Sequence, residues 1–126
     1  MSDFEVIASY SRAQAIADGV LIDVSTLAKE AGYRWPVAFT DHLWHDYVVP
    51  PLDLAAEGQS ISGRLWDVLN VLKYSIVQSK DATRLSFSVL FAMEPGKAPI
   101  PVELVSIAGP GDDGLPTITV MLPEDD

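Results

Sequence analysis

The chain has 126 residues, eight bases against eighteen acids and no cysteine, giving a formal charge of −10 and a sequence pI near 4.3. Disulfides, thiolate metal sites and a cysteine nucleophile are excluded, and the charge disfavours direct contact with a phosphate backbone. A hydrophobic content of 48% suits a globular chain with one core, and the length suits a single domain over residues 1–126.

The first five residues carry acids where a signal peptide would carry bases, and no apolar run follows. Nothing approaches the roughly 18–20 apolar residues that span a bilayer, so a cytoplasmic location without membrane insertion is expected.

Ser11 followed by Gln14 is a capping-box pattern that starts a helix over 12–18, which Gly19 can end in a left-handed conformation. Residues 20–24 form a β-prone run. Ser25 is then expected to cap a helix over 26–31, stopped by Gly32. Thr40 caps a third helix over 41–48, before Pro50 and Pro51 forbid continuation. On that helix Asp41, His42, His45 and Asp46 share one face, and Leu43, Trp44, Tyr47 and Val48 the other. Residues 50–60 read as loop, with a turn of helix near Leu54 and Ala55. The longest helix is expected over 63–79, with Leu65, Val68, Leu69, Leu72 and Ile76 buried and Trp66 and Val77 flanking them.

The second half changes period from 3.6 to 2. Leu85, Phe87, Val89 and Phe91 alternate with serines as in a half-buried strand. A turn at 94–97 leads to a second strand over 100–108, whose alternation slips at Leu104 and Val105, predicting a bulge or burial on both faces. Residues 109–114 are a turn signal, and a third strand over 117–122 points Ile118, Val120 and Leu122 inward and its threonines outward. The expected fold is α+β, a helical N-terminal half packed on a three-stranded antiparallel meander.

Several residues could carry chemistry. Tyr10, Arg12, Asp18 and Asp23 form a dense polar segment suited to nucleotide or sugar binding or to acid–base work, with Arg64 and Trp66 as additional candidates. Local caps and salt bridges would use the same residues structurally. His42 and His45 could share a metal, but an ordinary exposed polar helix face is the favoured reading, and no metal or cofactor is expected. Two adjacent acids in the 109–114 loop lack the alternating ligands of a calcium loop. Trp35 sits in a loop before Pro36 and could anchor a partner, whereas Trp44 and Trp66 are expected in the core, Trp66 with a polar partner for its indole N–H. After Lys97 there is no base, and Glu103, Asp112, Asp113, Glu124, Asp125 and Asp126 give the last 29 residues a charge of −6. That acidic third, Asp112, Asp113, Glu124, Asp125 and Asp126 in particular, could meet a basic partner or imitate nucleic acid.

Ser9-Tyr10-Ser11-Arg12-Ala13-Gln14-Ala15 together with Asp18-Gly19-Val20-Leu21-Ile22-Asp23-Val24-Ser25 resembles a family of small uncharacterised bacterial proteins often encoded on plasmids and integrative elements. So do Gly63-Arg64-Leu65-Trp66-Asp67-Val68-Leu69 and the 109–114 loop followed by Ile118-Thr119-Val120-Met121-Leu122-Pro123. The resemblance implies no activity. It implies a context in which small acidic proteins blunt host defence.

Three functions follow as expectations. The first is an interaction or regulatory protein of a mobile element, in its sharpest form a DNA mimic that binds a basic host protein. The second is a small enzyme or ligand-binding domain around Tyr10, Arg12, Asp18 and Asp23. The third is a self-associating structural protein, a homodimer.

Overall fold

The computed structural model describes residues 10–80 and 82–126; the acidic stretch at 1–5 and Ser9 lie outside them. Its elements are α1 (Arg12–Ala17), β1 (Leu21–Asp23), α2 (Ser25–Glu30), β2 (Val37–Thr40), α3 (Asp41–Leu43), α4 (Leu52–Ala56), α5 (Ile61–Ser79), β3 (Arg84–Phe91), β4 (Ile100–Pro110) and β5 (Pro116–Met121). A wide π-helical turn, Trp44–Val48, continues α3, and a 3₁₀ turn, Pro123–Asp125, follows β5.

The class is α+β, but the sheet is larger than a meander. Five strands run in the order β1-β2-β5-β4-β3. The expected antiparallel set β3, β4 and β5 is present, and β5 also pairs in parallel with β2, whose other edge takes β1 antiparallel. β2 escapes sequence reading for a physical reason. Val37, Ala38 and Phe39 are all buried in mid-sheet, so no polar alternation marks the strand, and Thr40 at its end already caps α3.

α5 lies across one face of the sheet and presses Leu65, Val68, Leu69 and Leu72 onto Phe39, Phe87, Val89, Leu104 and Val120. Burying each such side chain contributes about 1.5–3 kcal/mol. Leu104 and Val105 are both buried while the β3–β4 and β4–β5 registers stay unbroken, so the slip in alternation reflects burial on two faces and no bulge. Helix α1 lies against β1 on the other face, near Thr119.

Several expectations need correction. Ser25 does not cap α2: Val24 holds that position, and the Ser25 hydroxyl instead bridges Asp23 and the Val37 backbone. β4 extends through Gly109 and Pro110, paired with Thr117 and Pro116, so the turn starts only at Gly111. Pro110 can sit there because its missing N–H would face beyond the end of β3. Thr117 is buried, its hydroxyl donating to Gly109 O at 3.2 Å. Ile76 is 37% exposed and Trp66 38%, because the buried stripe of α5 centres on Leu65, Val68, Leu69 and Leu72 and takes in Arg64 on its flank. Trp44 packs against the core, half-buried.

Candidate functional site

The sequence-predicted polar segment is assembled at the amino-terminal end of α1. Four backbone N–H groups there, those of Ser11 to Gln14, have no helical partner, and side chains satisfy three of them. Ser11 Oγ accepts from Gln14 N at 2.9 Å, and Asp112 accepts from Arg12 N at 2.7 Å and Ala13 N at 3.0 Å. The carboxylate thus lies where the helix dipole favours a negative charge. Those bonds, from Ala13 and then Arg12, hold the Asp112 carboxyl below its ordinary range. The loop is shaped to deliver it. Gly111 N donates to Leu115 O, and Asp113 Oδ1 accepts from Leu115 N, closing a turn that leaves Asp112 facing α1.

Arg12 reaches from α1 onto β5. Nη1 donates to Thr119 Oγ1 at 2.7 Å and Nη2 to Ile118 O at 2.8 Å. Desolvation lowers its pKa, opposed by the charges of Asp23 and Asp112. Tyr10 donates its hydroxyl to Asp18 Oδ2 at 3.0 Å, which ties the two ends of α1 together. Asp23 Oδ1 accepts from Ser25 N and Oγ, at 3.0 and 2.6 Å. A cavity of about 550 Å³ bordered by Tyr10, Arg12, Leu21 and Asp112 opens beside this cluster.

The structure therefore brings Tyr10, Arg12, Asp18 and Asp23 into one neighbourhood and adds Asp112, which sequence reading placed among the partner-binding acids. It does not bring Arg64 or Trp66 there. Arg64 is 3% exposed beneath α5, with Nε on Tyr47 O, Nη1 on Ala92 O and Gln59 Oε1, and its guanidinium 5.3 Å from the Phe91 ring centre. Burial lowers its pKa, and the nearby charge of Asp67 opposes that. Tyr47 is placed for this by the wide turn, in which Val49 N donates to Trp44 O, and its ring packs on Phe91 at a 40° tilt, centroids 5.4 Å apart. Trp66 lies exposed on the flank of α5, so its indole N–H needs no buried partner.

A second opening, of about 330 Å³, was marked in sequence only by Trp35. It lies between the loop carrying Tyr33, Arg34 and Trp35 and the last turns of α5, where Lys73, Ile76 and Val77 face it. Tyr33 OH donates to Leu69 O at 2.7 Å, and Lys73 Nζ to Ala31 O at 2.8 Å, so the walls are anchored. Burial raises the Tyr33 hydroxyl well above its ordinary value. Gly32 is required here by its φ of +99°, a left-handed conformation that residues with a Cβ rarely adopt; a Cβ would also push aside Lys73 Nζ, 2.8 Å away. Trp35 is 44% exposed and Val77 71%.

A model of one protein family matches residues 1–126. The chain belongs to DUF6573, a family of unknown function. No curated protein and no solved structure matches it.

In this DUF6573 chain the acids after Lys97 are largely engaged internally. Asp112 caps α1 and Asp113 closes its own turn. Asp125 accepts from Thr40 Oγ1 at 2.8 Å and Leu122 N at 3.2 Å and meets His42 Nδ1 at 2.6 Å, while Asp126 pairs with Arg84 at 2.7 Å. Hydrogen bonding to Asp125 raises His42, helped by the charges of Asp125, Asp41 and Asp46. Burial pushes Asp125 up, but the bonds from His42, Thr40 and Leu122 outweigh it and hold its carboxyl low. His42 is thus turned toward the C-terminal acids, and no group of three or more histidines and acids is gathered as a metal site among the described residues. No helix is long and apolar enough to cross a membrane among them.

Proposed function

We propose that this protein is a non-catalytic interaction module that docks a partner protein through the groove around Trp35. The observation that carries this reading is a contrast between the two openings. Beside α1, the side chains suited to chemistry are engaged: Asp112 by amides, Arg12 by β5, Tyr10 by Asp18 and Asp23 by Ser25. Around Trp35, the groove presents Ile76, Val77 and half an indole to solvent. Large aromatic anchors of this kind carry much of the energy of protein interfaces.

Among the described residues the only charged ones lining the groove are Arg34 and Lys73, in a chain with a net charge of −10. Charge complementarity therefore favours an acidic segment with an apolar anchor. A basic partner, or DNA mimicry, draws its support from the total charge and from exposed Asp46 and Glu124. It draws less from the C-terminal third, where Asp112, Asp113, Asp125 and Asp126 already have partners. The resemblance to proteins of plasmids and integrative elements suggests that the partner is a host protein.

Selection from a peptide library with one apolar anchor and varied flanking charge tests this reading. Acidic flanks should be enriched, and W35A should abolish the enrichment. Enrichment of basic flanks, or selection indifferent to Trp35, would refute it.

A further inference from the structure

β3 is an edge strand of eight residues, Arg84–Phe91, paired on one side only, with β4. Ala108 N donates to Thr83 O, which sets the phase of the ladder: Leu85, Phe87, Val89 and Phe91 direct their backbone groups to β4. Arg84, Ser86, Ser88 and Leu90 therefore turn their N–H and C=O groups outward. Among the described residues no other segment bonds to them.

Natural edges of this length are protected by proline, by charged side chains, by a bulge or by a covering element. β3 contains no proline and no bulge, since its register with β4 is continuous over all eight positions. Its single charge, Arg84 at the first position, is paired with Asp126 at 2.7 Å. Residues 85–93 carry no charged side chain at all, in a chain whose net charge of −10 would make its copies repel one another elsewhere. Leu90, on the open side, is 63% exposed, and Tyr74, on α5, is 67% exposed. Between α5 and β3 runs a groove of about 380 Å³ lined by Asp67, Asn70, Val71 and Ser88 to Leu90.

We propose that a second copy of this chain pairs with it along β3, antiparallel about a two-fold axis at Phe87, joining two five-stranded sheets into one of ten. The strand is self-complementary in that register. Ser86 lies opposite Ser88 of the second copy and Arg84 opposite Leu90, so no like charges face each other. Four such pairs would form about eight main-chain hydrogen bonds, two per pair, using the outward groups. The interface does not depend on the Trp35 groove, because the two openings share no lining residue: Lys73, Ile76 and Val77 border one, and Asp67, Asn70 and Val71 the other.

Light scattering across a dilution series, combined with amide hydrogen exchange, tests the pairing. The protein should run at about twice its 13.7 kDa mass when concentrated and should dissociate on dilution. Salt should strengthen the dimer, since two acidic bodies approach. The amides of Ser86, Ser88 and Leu90 should exchange slowly only in the concentrated sample. Ser88→Pro removes an outward N–H that β4 does not use, and Ser88→Lys adds an edge charge. Both should give monomers with unchanged circular dichroism and melting. A chain that stays monomeric with those amides exchanging fast would overturn the proposal, as would a dimer that survives both substitutions. Loss of a different co-purifying protein on Ser88→Pro, from a chain itself monomeric, would overturn self-pairing and point to a foreign strand.

Discussion

Replacing Arg64 by alanine separates a structural arginine from a ligand-binding one. The residue is 3% exposed and makes no carboxylate contact within salt-bridge range among the described residues, so the main-chain carbonyls Tyr47 O and Ala92 O, the Gln59 amide oxygen and the Phe91 face stabilise the charge. A hydrogen bond to a charged group contributes about 1.5–3 kcal/mol, and an orphaned buried carbonyl costs about 1–3 kcal/mol. Losing the two main-chain bonds and leaving both carbonyls dry should destabilise the fold by about 3–5 kcal/mol. For 126 residues at about 2.1 cal/mol/K each, the unfolding entropy is about 0.26 kcal/mol/K, so Tm should fall by about 11–19 °C. Arg64→Lys keeps the charge but cannot bridge both carbonyls, so it should recover only part of the loss. The assay is thermal unfolding followed by circular dichroism. A fall in Tm below about 4 °C, equivalent to about 1 kcal/mol, would refute the reasoning. It would also return Arg64 to the ligand-binding candidates.

Gly111→Ala would place a Cβ 2.7 Å from Thr117 Cγ2, so the loop must shift; we expect a loss of about 1–3 kcal/mol in denaturant unfolding and weaker protection of the Arg12 and Ala13 amides. Tyr33→Phe removes a hydroxyl 2.7 Å from Leu69 O and should cost about 0.5–1.5 kcal/mol in the same measurement. Trp35→Ala should cost about 1–3 kcal/mol, since just over half of the residue is buried at 44% exposure, and should abolish peptide selection while the chain stays folded. The C-terminal clasp should be pH-dependent. His42 is raised, so its contribution is present below about pH 6.5 and fades as pH rises through the raised value. Asp125 is lowered from 3.8, so its contribution is present above that value and fades as pH falls through the lowered one. Tm against pH should therefore be highest between the two, and His42→Ala should flatten the decline on the alkaline side; an unchanged profile would count against the clasp.

Elements with a local signature were legible in the sequence. α5 follows from its apolar spacing, α1 from Ser11 and Gly19, and β3 from strict alternation, because each depends on residues close together in the chain. The convergence of Tyr10, Arg12, Asp18 and Asp23 was anticipated, but their hydrogen-bond partners were not. Asp112 is 100 residues from Arg12 in sequence, and nothing local marks its carboxylate as a helix cap. Arg64, read in the sequence as an additional ligand-binding candidate, shows the same limit: nothing local to it marks the Tyr47 and Ala92 carbonyls that make its burial tolerable.

The sequence by itself determined the class, the acidity, the cysteine-free chemistry and the positions of most helices and strands, since periodicity and capping are local properties. Tertiary structure alone decided the five-strand order, the parallel insertion of β5 beside β2 and the open edge of β3. It also decided which acids stay free. A side chain's partner depends on where distant backbone donors fall, and packing sets that position where spacing along the chain does not.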